Sequence, residues 1–171
     1  AGYNEKSSNK LYINNSNAVN PLVYGNFSTK IVNINGKLGI GKKAPAYPIH
    51  LASGARVTTG GVWTNASSRE YKDNIKTLSA HEALNTLEGL NPVKFVYKAD
   101  RGEQHVGFIA EDVPELVATK DRKGLSSMDI VTVLTKVVQE QQKTIERQQE
   151  IISKHAEKIA QLERSFTSKV D

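Results

Sequence analysis

Cysteine is absent from this 171-residue chain. That excludes a disulfide framework and a thiolate metal site, and it leaves the redox compartment unread. No apolar run approaches the length of a membrane span, and the first six residues, Ala1 to Lys6, lack the apolar core of a signal peptide. The first residue is Ala1 rather than Met, so the chain is expected to be a piece of a longer one. Acid is scarce at one end only. Residues 1–66 carry seven Lys/Arg against Glu5 alone, whereas residues 67–171 carry sixteen against seventeen acids. Two kinds of protein are therefore joined near residue 66. In the basic part the lysines are scattered, with no basic helix and no stacking platform, which argues for a solvated β surface rather than a nucleic-acid site.

Residues 128–171 are dominated by one uninterrupted helical pattern. Neither Pro nor Gly breaks it, and its flanks are Gln, Glu, Lys and Arg, which favour helix. With Val131 at heptad position a, the a positions read Val131, Val138, Ile145, Ile152, Ile159 and Phe166. The d positions read Leu134, Gln141, Gln148, His155 and Leu162. An apolar a position sustained over this many heptads needs partner helices to bury it. Val137 and Ile151 at g and Ala156 at e widen the seam beyond a strict a/d stripe, which favours more than two helices. The predicted assembly is a parallel homotrimer, with a dimer as competitor and a lone solvated helix as the bland alternative. Gln141, Gln148 and His155 in successive d layers would fix register at some cost in stability. Three charged imidazoles in the His155 layer would repel, so acid is expected to loosen it.

Residues 1–66 are rich in Asn, Gly, Ser and Thr. Short strands are predicted at Leu11–Ile13, Leu22–Tyr24 and Ile31–Ile34, with turns at Asn14–Asn17, Gly25–Asn26 and Asn35–Gly36. Asn35–Gly36 suits a type I′ hairpin. Strands this thin bury too little on one chain, so they are expected to pack across the trimer. Leu38 to Leu51, with its Gly-x-Gly pair, Pro-bearing turn and returning strand, reads as a compact β element. Its glycines are not a dinucleotide motif, because no helix follows and the glycine spacing is wrong. Residues 52–62 read as a loose connection up to Trp63, which is expected to anchor packing.

Further on, Ser79 to Glu82 forms a capping box for a helix ending at Gly89. Pro92 to Lys98 and His105 to Ala110 are strands of a hairpin, with a turn at Asp100–Gly102. Glu111 to Leu116 is expected to be a short helical turn with acids at its positive end. Asp121–Gly124 is a turn, and Ser126 or Ser127 could cap the long helix. His81 and His105 lack the spacing of a metal site, so no metal and no cofactor is expected.

Between the two parts lies Ser67-Ser68-Arg69-Glu70-Tyr71-Lys72. A lysine kept neutral by burial can take the proton of a serine hydroxyl, which then attacks a carbonyl. The spacing by itself is feeble evidence and reads far more readily as surface charge.

The order of the blocks carries more. A Ser-x-x-x-x-Lys-x-Asn-Ile run (Ser67 to Ile75) is followed by Leu78 and Ala83-Leu84. Then come Leu90 to Tyr97, His105 to Val117 and the terminal heptads. In that order they resemble the intramolecular chaperone domain at the carboxy terminus of phage endosialidase tailspikes and related fibres, the S74 peptidase family. The stretch from Leu38 to Leu51 likewise resembles a short repeat found ahead of that domain in tail-fibre proteins. The resemblance implies a trimeric β-rich fibre whose terminal chaperone cuts itself off immediately before a serine paired with a lysine five residues on. Carried over, Ser67 is the nucleophile, Lys72 its general base, and Ala66–Ser67 the scissile bond. The family commonly has Asp after the catalytic serine. Here it is Ser68, which bears on the rate or occurrence of cleavage rather than on the fold.

The expected fold is α+β in three parts: residues 1–66 as the end of a β-rich client fibre, residues 67–127 as a small mixed α/β chaperone domain, and residues 128–171 as the helix of a parallel trimeric coiled coil. The expected partners are two further copies and the fibre in the same chain, with neither nucleic acid nor membrane. The implied setting is a virion or prophage tail fibre made in the bacterial cytoplasm. A non-cleaving structural tip and a glycan-binding fibre tip are the alternative functions.

Overall fold

The computed structural model describes residue 6, residues 8–16 and residues 19–167. Asn17 of the first predicted turn and the residues after Thr167 lie outside these. The chain is α+β, with several small sheets and one long carboxy-terminal helix. Its contacts divide into two units, Ala1–Ile75 and Lys76–Asp171.

The first unit holds two sheets. Strands β1 (Lys10–Ile13), β2 (Val23–Asn26) and β3 (Ile31–Ile34) form an antiparallel sheet in that order. Gly25–Asn26 is strand rather than turn. The reversal comes at 27–30, where Asn26 Oδ1 accepts from the Ser28 and Thr29 N–H groups at 3.1 and 3.3 Å. Asn35–Gly36 does not close a hairpin either, because the strands on its two sides belong to different sheets. The Asn35 side chain is engaged instead, donating Nδ2 to Pro21 O at 2.7 Å. The register sorts the side chains by face. Leu11, Val32 and Gly25 align, as do Ile13, Val23 and Ile34, so one face is wholly aliphatic. Most of it is exposed in the single chain.

The second sheet runs β4 (Leu38–Ile40), β5 (Ile49–Leu51), β6 (Arg56–Val57) and β7 (Trp63–Thr64). Strand β5 does return to β4, but it pairs in parallel, so residues 41–48 form an unusually short crossover. Residues 52–62 are not a loose connection. They contain β6 and a turn in which Thr58 O accepts from Gly61 N at 2.9 Å and Thr58 Oγ1 from Val62 N at 3.1 Å. Trp63 does not anchor packing in this chain: it is 53% exposed, and its indole donates to Asn65 Oδ1 at 2.9 Å.

The buried polar side chain of this sheet is His50 on β5. Its Nδ1 accepts from the Ala46 N–H at 3.2 Å, which requires that nitrogen to be unprotonated, and its ring meets Tyr47 edge-on at 5.2 Å. Burial first, and then the positive charges of Lys42 and Arg56, lower its pKa below the usual 6.5. The unfolded chain therefore binds the proton more readily. This contribution to stability is complete above about pH 6.5 and is lost as pH falls through the folded value. An NMR titration of His50 is expected to give a midpoint below 6.5. A midpoint at or above it would refute the buried neutral ring.

The second unit is built on helix α1 (Ala80–Glu88), hairpin β8 (Val93–Tyr97) and β9 (Asp100–Gly107), and helix α2 (Ser127–Thr167). The predicted capping box is present, with Ser79 Oγ accepting from Glu82 N at 3.2 Å and Glu82 Oε2 accepting from Ser79 N at 3.1 Å. Helix α1 ends at Gly89, where a β-carbon would lie 2.6 Å from Pro114 Cγ. Only glycine lets that proline close over the helix end. The hairpin turns at 98–99, and Asp100–Gly102 belongs to β9, where the register slips beside Val96/Tyr97. Glu111 to Leu116 forms two successive turns rather than a helical one, closed by Asp112 N to Ile109 O and Val117 N to Pro114 O. Arg122 pins this stretch, donating Nη2 to the carbonyls of Glu111 and Val113.

Ala83, Val113, Val117, Val133 and Val137 make the core of this unit. Removing two valines of α2 from water contributes about 1.5–3 kcal/mol each. Val133 and Val137 are 2% and 3% exposed, and they sit at heptad positions c and g. Val137 therefore packs within its own chain and does not widen a seam between chains. The a/d positions stay bare: Val131, Ile145 and Ile152 are 52%, 47% and 66% exposed. On the c/f side, Glu140 Oε1 accepts from Lys136 and Lys143 Nζ at 2.9 Å each, which holds its carboxyl down at about 2.

Candidate functional site

The site lies at the end of the first unit, just after β7. Residues Arg69–Tyr71 form one turn of 3₁₀ helix, closed by Tyr71 N to Ser68 O at 3.2 Å and Lys72 N to Arg69 O at 3.1 Å. Ser68 is its N-cap, its hydroxyl accepting from Glu70 N at 3.4 Å. Asp and Ser are close to interchangeable in that role, so Ser68 fills the position that a family Asp would fill as a cap. It also leaves the Ser68 hydroxyl turned to the backbone rather than to Lys72.

The tight turn brings residues five apart face to face. Lys72 Nζ donates to Ser67 Oγ at 2.7 Å. One chain is enough to bring this pair together. What one chain does not supply is shelter: Ser67 and Lys72 are both exposed, and Ala66 is half-buried. Proton transfer from Oγ needs a neutral amine, and exclusion of water is what favours the neutral form of a lysine.

Ala66 and Tyr71 meet a third segment. The β5–β6 turn passes through Gly54 at φ +89°, and a β-carbon built there would lie 3.3 Å from Ala66 Cβ and 3.6 Å from Tyr71 Cε2. Sequence reasoning missed this neighbour because it took residues 52–62 for a linker. The Ser53-Gly54 pair was the available signal, since a glycine inside a β stretch marks a close backbone approach.

The other predicted positions divide cleanly. Gln141, Gln148, His155 and Ile159 lie on α2 with Leu134, Val138 and Leu162, all exposed and none of them part of the core cluster, although Gln141 lines a cleft with Leu84 and Val137. His81 is exposed, with Asn85 Nδ2 3.4 Å away, and His105 stacks against Phe95 at 5.8 Å. Among the described residues no three of His, Asp and Glu gather as metal ligands, and no helix is long and apolar enough to cross a membrane.

Residues 67–120 match the family described as chaperone of endosialidase, Peptidase S74. No curated protein and no solved structure matches the chain. The matched segment begins at Ser67 and runs through the 3₁₀ turn, α1, the hairpin and the turns around Pro114. The chain thus carries, over residues 67–120, a segment of the chaperone-of-endosialidase family, Peptidase S74.

Proposed function

We propose that this chain is the trimerising intramolecular chaperone of a tail fibre or spike and cuts itself before Ser67 once assembled. The observation that carries the reading is the 2.7 Å contact of Lys72 Nζ with Ser67 Oγ at the first residue of the family match. The trimer is supported by the bare a/d stripe of α2, and packing of the thin strands across it by the bare aliphatic face of β1–β3. Three chains held in register by the helix would lower the loop-closure cost of interleaving such short strands.

The chemistry balances within one chain. Ser67 Oγ gives its proton to neutral Lys72 Nζ and bonds to the Ala66 carbonyl carbon. The bond from that carbon to Ser67 N then breaks, and the nitrogen takes up a proton, which leaves Ala66 esterified to Oγ. Water splits the ester, giving an Ala66 carboxylate and a free Ser67 amine and hydroxyl. The pair is preset in the monomer but wet, so covering it by neighbouring chains is the step that couples cutting to assembly. Cutting makes folding kinetically one-way, because the separated fibre cannot readily reassemble.

Intact mass of freshly expressed protein tests this. Wild type is expected to yield two fragments meeting at Ala66/Ser67, and Ser67→Ala a single uncut chain. One uncut wild-type chain would remove the peptidase and leave a structural trimerisation tip.

A further inference from the structure

We propose that the Gly54 turn is a positioning clamp for the Ser67/Lys72 pair and a size filter for the residue on the acyl side of the cut. The inference rests on the self-cleavage reading, and it names for that site a third participant outside the family-matched segment.

The clamp touches both halves of the pair one residue upstream. Ala66 immediately precedes the proposed nucleophile and Tyr71 immediately precedes the proposed base, and the same face of Gly54 meets both, at 3.3 Å and 3.6 Å from an added β-carbon. The segment after β7 that carries the scissile carbonyl and the 3₁₀ turn that ends at Lys72 therefore both pass close to the Gly54 turn.

That turn is itself fixed. Gly54 N donates to Leu51 O at 3.0 Å, Leu51 N donates to Ala55 O at 2.8 Å, and Arg56 Nη1 donates to Gly54 O at 3.4 Å. Arg56 is held in turn with its guanidinium 4.6 Å from the Tyr47 ring centre. At φ +89° the turn favours glycine, so the clamp surface is bare backbone and admits only a small side chain at residue 66. Alanine fits there. A branched or longer residue would have to push the turn or Tyr71 aside and would move the carbonyl relative to Oγ.

A misplacement of about 1 Å can cost a positioned reaction about 100-fold, and the smaller shift that a 3.3 Å contact demands about 10-fold. Gly54→Ala and Tyr71→Ala are each expected to slow cutting by a factor in that range, with the trimer still formed. Gly54→Ala also strains the backbone, so the decisive comparison adds Ala66→Gly, which removes the contact and leaves the strain. The double variant Gly54→Ala/Ala66→Gly should regain at least about fivefold of the lost rate. Equal rates with and without Ala66→Gly would overturn the clamp, as would a Tyr71→Ala chain that cuts at the wild-type rate. If wild type itself proves uncut, the cleavage reading fails on its own, and the clamp is read from NMR. The nuclear Overhauser contact between Ser67 Hβ and Lys72 Hε should be present in wild type, lost in Gly54→Ala and restored in the double variant. Its survival in Gly54→Ala would overturn the clamp.

Discussion

Ile145→Asp together with Ile152→Asp is expected to take the light-scattering mass from three chains to one while the second unit stays folded. Ile152 is 66% exposed in the single chain, and Ile145, at the rim of a cleft with Leu84, is 47% exposed, so the substitutions cost the monomer little, about 0.5 kcal/mol at Ile152 and about 1 kcal/mol at Ile145. In a parallel trimer each would place three carboxylates in one apolar layer, where desolvation and mutual repulsion act together. Far-UV circular dichroism should also fall. Beyond Ile145, which lines a cleft with Leu84 and Val137, every described residue of the helix up to Ile159 is exposed, and an isolated helix of that length is marginal in water. The dispersed NMR signals of the β8–β9 hairpin and the Val113/Val117 core should survive. Val133→Asp is the contrasting variant. Val133 is 2% exposed inside its own chain, so a carboxylate there should destabilise the unit by more than about 4 kcal/mol and unfold it whatever the state of assembly. A trimer that persists through the double seam substitution would remove the coiled-coil reading.

Lys72→Arg is expected to leave the chain as uncut as Lys72→Ala. Arginine keeps a positive charge, can still donate to Ser67 Oγ and would preserve much of the local packing. It does not give up its proton in proteins, however, so it cannot receive the one from the hydroxyl. A group that merely held Ser67 in place, or stabilised developing negative charge, would tolerate the exchange. The measurement is intact mass against time for wild type and both variants, with loss of base function expected to slow cutting by at least about 100-fold. Substantial cutting by Lys72→Arg would assign Lys72 an electrostatic role and send the search for the base elsewhere.

What the sequence made legible follows how local each feature is. The capping box at Ser79/Glu82, the end of α1 at Gly89 and the run of α2 as far as Thr167 depend on neighbours within a few residues, and the structure has them where the pattern puts them. Strands β6 and β7, of two residues each, are too short for any alternation to register. The parallel pairing of β4 with β5 depends on a crossover that no dipeptide announces. The heptad pattern found the apolar stripe of α2, but it could not tell which part the helix's own domain would take. Val137 has the same chemistry whether it faces Val113 or another chain. The Ser67–Lys72 contact was suggested by the ordered blocks around it, whereas Gly54 reaches Ala66 and Tyr71 only through the folding of β5 to β7.

The proposed cut and the boundary between the units fall at different places. A break at Ala66–Ser67 would leave residues 67–75 covalently joined to the second unit, although their contacts group them with the first. Hydrolysis alone would then yield a nicked complex, with the new amino-terminal segment still resting on the Gly54 turn through Tyr71. Its lifetime would be a dissociation time rather than a chemical rate. In a threefold assembly three such segments would have to let go together, and the avidity of that attachment would set how long the chaperone lingers on a finished fibre.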